Sequence, residues 1–359
     1  MRIGVVDLFS GCGGTSLGLR QAGMVVLGGI DNDSDAAATY QLNFPGAQFI
    51  RADVRQLGVD LVLAEFRVDS VDRVILSACA PCQPFSKQRT TPRPKDDRVP
   101  LLRQLGRFVQ GIQPDVVLIE NVPGLQTFDD GEGPLADFLA DLDEFGYEYE
   151  VRTIEARQYG VPQRRARLVV LASAYGAPGF PEPTHGPGAQ PYSTVRDWIR
   201  DLPPIAAGDF HADVKNHRAH ALSQKNLERI RATPEGGDRR DWASHLWLDC
   251  HSGTYDGHTD VYGRMSWDAP ATGLTTRCVS YSNGRFGHPE QDRAISIREA
   301  ACLQTFPAEF EFVGNMASMA RQIGNAVPVL LAEALGRHLV GHLARRSTVS
   351  RGPILGRVA

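Results

Sequence analysis

Cys79 and Cys82 stand three residues apart in VILSACAPCQPFS (residues 74–86), where an apolar, β-branched run breaks at Ala80-Pro81. A buried parallel strand that stops at a proline delivers the next side chain to the carboxyl edge of a sheet, where open α/β sheets build their sites. Cys82 is thereby a candidate nucleophile. The C-x-x-C spacing also allows a redox pair, half of a zinc site, or a small buried apolar residue. No second C-x-x-C occurs in the chain, which weakens the first two. Glu120 ends another apolar run, DVVLIE, and a carboxylate there is costly unless it is paired or does chemistry. Its plainer alternative is a helix cap. QYGVPQRRAR (residues 158–167) contributes Gln163, Arg165 and Arg167, and two residues of separation on an extended stretch points both arginines the same way.

A second group of residues suits a nucleotide-like cofactor. Residues 3–9 read as an apolar strand ending in Asp7-Leu8-Phe9, followed by Ser10-Gly11-Cys12-Gly13-Gly14 and a helical pattern from Thr15 to Ala22. Strand, glycine turn and helix make the opening unit of a doubly wound sheet, with backbone free to approach a ligand. The dinucleotide fingerprint G-x-G-x-x-G is met at Gly11 and Gly13 and broken by Ser16. Asp31 closes the next apolar run, Met24 to Ile30, roughly twenty residues past the turn, where an acid can bond both ribose hydroxyls. Asp53 follows a short strand, Gln48 to Arg51, placed to accept from an adenine amino group. Each aspartate taken alone could equally be a helix N-cap.

Taken together, DLFSGCGG, PCQPFS, Glu120-Asn121-Val122, the Q-x-R-x-R pattern of Gln163, Arg165 and Arg167, and GNAVP at residues 324–328 resemble the DNA (cytosine-5)-methyltransferases of bacterial restriction-modification systems. The resemblance spans about Ile3 to Leu343. It implies a catalytic set of Cys82, Glu120, Arg165, Arg167 and Gln163, with Cys82 adding covalently to a flipped-out cytosine. It implies S-adenosylmethionine as cofactor, held by Asp7, Phe9, Ser10, Gly11, Gly13, Gly14, Asp31, Asn32, Asp53, Val54, Pro81, Leu101, Asn325 and Ala326. Asn32 stands where the family often has an aromatic residue. Double-stranded DNA is the implied partner, contacted through Ser86, Lys87, Arg89, Thr275, Arg277 and Arg285, and a cognate restriction endonuclease is an implied companion.

The elements needed to position these residues follow from periodicity. Helices are expected at Leu101 to Gln110, Leu135 to Phe145, Leu222 to Arg231, Ile297 to Gln304 and Pro328 to Arg345, and strands at Tyr147 to Ile154 and Arg167 to Ala172. The expected fold is α/β, a doubly wound, mostly parallel, Rossmann-like sheet. Residues 1–178 and 308–345 would form a discontinuous catalytic domain, 179–307 a smaller, irregular target-recognition domain, and 346–359 a loose tail. The Gly- and Pro-rich stretch after Ala174 marks the first boundary, and the basic, aperiodic residues 83–100 read as a loop closing over the base. His217, His220, His245, His251, His258 and Cys250 lack a finger-like spacing, so no metal is expected.

At 359 residues, 42% hydrophobic and 22% charged, the chain suits an ordinary globular protein with a large core. It shows no signal-peptide pattern and no apolar run of membrane-spanning length. Its six cysteines lack framework spacing and suit a reducing compartment, so we read a cytoplasmic protein; a monomer is expected in solution. A net charge of -4 is low for a DNA binder, but the bases cluster at residues 87–98, 164–167 and 215–240. Three competing readings remain. The branch that methylates transfer RNA shares the motifs but carries a Cys-Phe-Thr signature absent here. An NAD- or dithiol-type oxidoreductase would leave Glu120, the arginines and Asn325 without a role. A DNA-binding module without catalysis would have no use for Cys82, Glu120 and Arg165.

Overall fold

The structure is a computed structural model that describes residues 1–81, 100–248 and 260–346. Cys82, Ser86, Lys87 and Arg89, the expected basic loop and the expected tail from residue 347 lie outside the described residues. In chain order the elements are β1 (Ile3–Leu8), α1 (Gly14–Gln21), β2 (Val25–Asp31), α2 (Ser34–Asn43), β3 (Gln48–Arg51), α3 (Val59–Glu65), β4 (Arg73–Ala78), α4 (Pro100–Ile112), β5 (Val116–Asn121) and α5 (Pro134–Glu144). They continue with β6 (Glu148–Glu155), β7 (Gln163–Arg164), β8 (Ala166–Ser173), α6 (Val195–Ile199), α7 (Gln224–Arg231), β9 (Ala271–Thr272), α8 (Ile297–Leu303), α9 (Met316–Asn325) and α10 (Val329–Arg345).

The chain forms two compact units. The first takes Met1–Glu155, Ala166–Pro183 and the chain from Val327 onward. Its seven-stranded sheet has the order β3-β2-β1-β4-β5-β8-β6. Strands β1 to β5 are parallel, and β8 enters antiparallel to both β5 and β6. The sheet is therefore mostly parallel and doubly wound. Strands β1, β4 and β5 are buried almost throughout because helices cover both faces, which is why they read as unbroken apolar runs. The chain leaves β1 toward one edge of the sheet and returns through β4 toward the other, so the crevice beyond their carboxyl ends is the topological switch point. Leu8 pairs with Ala78 and Ala78 with Ile119, which sets the ends of β1 and β4 level with the last turn of pleat in β5, just before Glu120 and Asn121.

Helix α1 is eight residues long and buried on nearly every side. Helix α10 lies against it at Gly18, where an added Cβ would run into the Val329 carbonyl and the Cβ of Ala332. At Gly336 it would meet the Cβ of Ala22 at 2.8 Å. Helix α2 is absent from the sequence expectation because SDAAATYQLN carries no apolar stripe. Its start is specified by Asp33, which accepts from the Asp35 and Ala36 amides at 2.9 and 3.0 Å.

The second unit, Ala156–Arg165 with Thr184–Ala326, has little regular structure. Its bounds depart from those read in the sequence: residues 156–165 and 308–326, including α9, belong to it. Irregular backbone leaves buried carbonyls that need donors, and arginine brings five N–H groups to the task. Arg264 donates to the carbonyls of Ile230, Thr233, His288 and Gln291, and Arg298 to those of Lys215, Pro307 and Phe310. Arg293, fully buried, forms a two-pronged pair with Glu299 at 2.6 and 2.7 Å. Among the described residues no helix is long and apolar enough to cross a membrane.

Candidate active site

Three strand ends of the first unit build the chemical centre. β4 stops at Ala78, and Cys79, Ala80 and Pro81 lead to Cys82. The Cys79 amide donates to the Leu8 carbonyl at 3.4 Å, and the Asn121 side-chain amide donates to the Ala80 carbonyl at 3.0 Å. Asn121 therefore tethers the segment that precedes the expected nucleophile, a role that sequence reading missed because the residue stood only as part of a motif.

Glu120 is 5% exposed, on β5 beside the end of β4. Its Oε2 accepts from Cys79 Sγ at 2.8 Å. Its Oε1 lies 2.6 Å from Arg167 Nε, on the antiparallel neighbour β8. That contact is an ion pair without an aligned N–H, so Oε1 has no directed donor among the described residues. An oxygen so placed keeps a lone pair open to a ligand or to water. Glu120 and Arg167 are thus brought together, as partners in charge.

The glycine turn follows β1. Phe9 adopts a left-handed backbone with φ of 55°, uncommon for an aromatic residue and concentrated at functional turns. Gly13 has φ of 96° and caps α1, and a Cβ there would strike the Phe44 ring. Asp31 accepts from the Gly11 amide at 2.9 Å through Oδ2 and from the Asp33 amide at 2.9 Å through Oδ1. Burial raises its carboxyl above the ordinary range, with those amides opposing. Each oxygen keeps a second lone pair for a ligand hydroxyl. Below it, Asp7 accepts from Ser16 Oγ at 2.7 Å, and Ser16 in turn bonds Tyr40 at 2.9 Å. Burial pushes the Asp7 carboxyl up to about 7. Asp7 is a floor to the turn, its one face closed by Ser16. Ser10 Oγ is buried with no hydrogen-bond partner among the described residues. Asp53 differs from expectation in its company: Arg55 donates to Oδ1 at 3.0 Å and to Oδ2 at 2.5 Å and holds the group below its usual range. Val54 is buried, Pro81 and Leu101 are half-buried and Asn32 is exposed.

The other expected residues belong to the second unit. Gln163, fully buried, donates to the Leu303 carbonyl and to Gln304 Oε1 and accepts from the Leu274 amide. Arg165 donates to the carbonyls of Leu274, Gly324 and Ala326 at 2.8 to 3.2 Å. Gly324 makes that stitching possible, since any Cβ would overlap the Thr275 carbonyl. Gln163 and Arg165 therefore brace this unit, while Arg167 serves Glu120 in the other; neighbouring residues in an extended run have separate employment. Asn325 ends α9, exposed, with Ala326 next to it. Thr275 precedes an open cleft of about 460 Å³ rimmed by His220, Thr276, Arg277, Asn283 and Arg321, with no acid in its lining. Arg285, expected to face DNA, is 17% exposed in its side chain and donates to the carbonyls of Gly236 and Gly237 and to Asp238. That environment makes it a brace, because its donors are satisfied internally.

Comparison with known proteins finds relatives along nearly the whole chain. The model for the C-5 cytosine-specific DNA methylase matches residues 3–341. The Type II methylase M.HgiDII of Herpetosiphon aurantiacus is 39% identical, covering 93% of this chain and 94% of that one. The Type II methyltransferase M1.HphI of Haemophilus parahaemolyticus is 34% identical over 93% of this chain and 86% of its own. A crystal structure described as a DNA modification methyltransferase encoded within an Escherichia coli prophage shares the fold, with a TM-score of 0.72 over 95% of this chain and 99% of that one at 23% identity. A match across nearly the whole length, on a sheet with β8 inserted antiparallel and the motifs at three adjacent strand ends, leads to one assignment: this chain belongs to the C-5 cytosine-specific DNA methylases.

Proposed function

We propose that the protein transfers a methyl group from S-adenosylmethionine to C5 of a cytosine in duplex DNA, through covalent addition of Cys82. The observation that carries the reading is Glu120, buried at a strand end, one oxygen gripped by Cys79 and the other without an aligned donor, beside the segment leading to Cys82. C5 of cytosine is a poor nucleophile until the ring's conjugation is interrupted. The Cys82 thiol gives its proton to water and adds to C6, while Glu120 in its protonated form donates to N3 and spreads the charge that develops in the ring. Arg167 balances the carboxylate's charge. C5 then carries electron density enough to take a methyl, whose donor would depart as a neutral thioether; the C5 proton passes to water and the C6–Cys82 bond breaks, which restores the ring. A stacked base hides its face, so the cytosine must leave the helix at a cost of about a few kcal/mol.

The residues present fit the cofactor. Asp31 offers a lone pair on each oxygen, Ser10 an unused buried hydroxyl, and the glycine turn close backbone approach beside Phe9. When bound, S-adenosylmethionine supplies an electrophilic methyl on a sulfonium centre. Asp31 would hold its ribose, Phe9 its adenine, and Asp53 its amino group if Arg55 yields. The second unit supplies DNA recognition, with Thr275 and Arg277 toward phosphate. Relatives named as Type II enzymes support a place as the modification half of a restriction-modification system, alongside an endonuclease reading the same site in the cytoplasm.

Tritium transfer from labelled S-adenosylmethionine to duplex DNA tests this directly. The expected result is label in DNA at cytosine C5, and bisulfite sequencing then gives the site. Label appearing in transfer RNA alone, or stabilisation by NAD and not by S-adenosylmethionine in a thermal shift, would overturn it.

A further inference from the structure

We propose that Cys79 is a positioning residue for Glu120, its thiol holding Oε2 so that Oε1 is presented to the cytosine. The inference rests on the proposed chemistry and adds a residue to it. Cys79 follows β4 immediately, and the pairing of Ala78 with Ile119 brings its side chain level with Glu120 on β5. Sγ lies 2.8 Å from Oε2 and donates to it. Arg167 stands 2.6 Å from Oε1 but without an aligned N–H, so it supplies charge and little direction. The thiol is accordingly the directed donor that selects the carboxylate's rotation about its last bond. That torsion is broad when nothing restrains it. Sulfur can also accept, so the same contact survives if Glu120 takes up a proton and donates it back toward Cys79. The backbone of this segment is already anchored, by the Leu8 carbonyl on one side and Asn121 on the other. Exchange of the side chain at position 79 therefore changes the carboxylate's restraint with the chain path preserved.

The reading accounts for a cysteine beside the nucleophile without dithiol chemistry. A serine at position 79 should do the same work, since a hydroxyl donates as a thiol does, whereas alanine should not. The experiment measures single-turnover methyl transfer to duplex DNA, together with exchange of the C5 proton, which reports addition at C6 and the support of N3. Cys79→Ala is expected to slow both about tenfold, the scale of one hydrogen bond to a charged group, with KM for DNA and for the cofactor within about twofold. Cys79→Ser is expected within about threefold of the wild type. In a Glu120→Gln background, Cys79→Ala should add little, because the group it positions is already altered. Cys79→Val, which lacks a donor but keeps volume, replaces alanine if that variant melts early.

Wild-type rates in Cys79→Ala and Cys79→Val would overturn the proposal. So would serine falling as far as alanine, or an alanine defect undiminished in the Glu120→Gln background. A wild-type protein that methylates no cytosine in DNA would sink the proposed function and this inference together. A Cys79→Ala enzyme at full rate sinks this inference alone.

Discussion

At the scale of single residues, the proposed chemistry divides the site into groups that would touch the reacting base and groups that aim them. Cys82→Ser is expected to remove methyl transfer while cofactor binding persists, since a hydroxyl is a far weaker nucleophile at neutral pH. Tritium incorporation measures the first and calorimetry with S-adenosylhomocysteine the second; substantial residual transfer would exclude the covalent route. Glu120→Gln keeps the shape and removes the charge that Arg167 and Cys79 face, and should cost about a hundredfold in rate. Asp31→Ala should weaken cofactor by an order of magnitude or more, because it deletes the carboxylate that organises Gly11 and Asp33 as well as the proposed ribose contact. The methylated DNA sequence should stay the same, and an unchanged cofactor affinity would mean that the strand-end acid does not face the ligand.

At the scale of elements, the joint between α1 and α10 sets where the glycine turn lies. Gly18 permits the two helices to touch through backbone, and no side chain can be added there without separating them. Gly18→Val should therefore lower stability by about 1 to 3 kcal/mol, the usual range for overpacking. A denaturant titration reads this, and the cofactor's apparent affinity should fall with it, because Gly13 and Gly14 begin the displaced helix. An equal melting midpoint would show that α10 yields freely. Strand β8 shows the same logic from the other side: by entering antiparallel between β5 and β6 it carries Arg167 to Glu120, a pairing that a parallel strand in that slot would not register in the same way.

At the scale of the whole molecule, a regular unit holding the chemical groups accompanies an irregular one held by buried arginines. His288 in the second unit is a sensor of that construction. Its Nδ1 accepts from the Glu290 and Gln291 amides at 3.1 and 2.9 Å, so the ring must be neutral at that nitrogen. Burial depresses its pKa to about 4, against attraction from Glu299 and with repulsion from Arg293 and Arg264. The folded state thus binds its proton later than the unfolded chain, whose histidine titrates near 6.5. Stability should be whole above that value and fall as pH drops from about 6.5 to 4, by up to about 3 kcal/mol from this group. Thermal melting of the wild type against His288→Gln over that window checks it; parallel curves would acquit His288. Grafting residues 187–285 into a relative of known site should move the methylated sequence with them, while exchanging residues 1–172 should not. Bisulfite sequencing of host DNA gives the answer.

The order of apolar runs and the residues at their ends determined the sheet, the glycine turn and the placing of Glu120, because a parallel strand buried on both faces announces itself as an unbroken hydrophobic stretch and its carboxyl end is where chemistry collects. Helix α2 escaped that reading for lack of an apolar stripe, and α9 went to the other unit because packing, not local pattern, draws the boundary. Tertiary structure alone decided the use of each charge. Arg165 and Arg167 look alike in QRRAR, yet one satisfies carbonyls and the other faces a carboxylate. Arg285 reads as a candidate for DNA contact, yet its guanidinium donates to backbone carbonyls as that of Arg264 does, since only the fold shows which backbone groups are left buried and in need of donors. The contact of Cys79 with Glu120 is of the same kind: forty-one positions separate the two residues, and it is the parallel pairing of β4 with β5 that makes them neighbours.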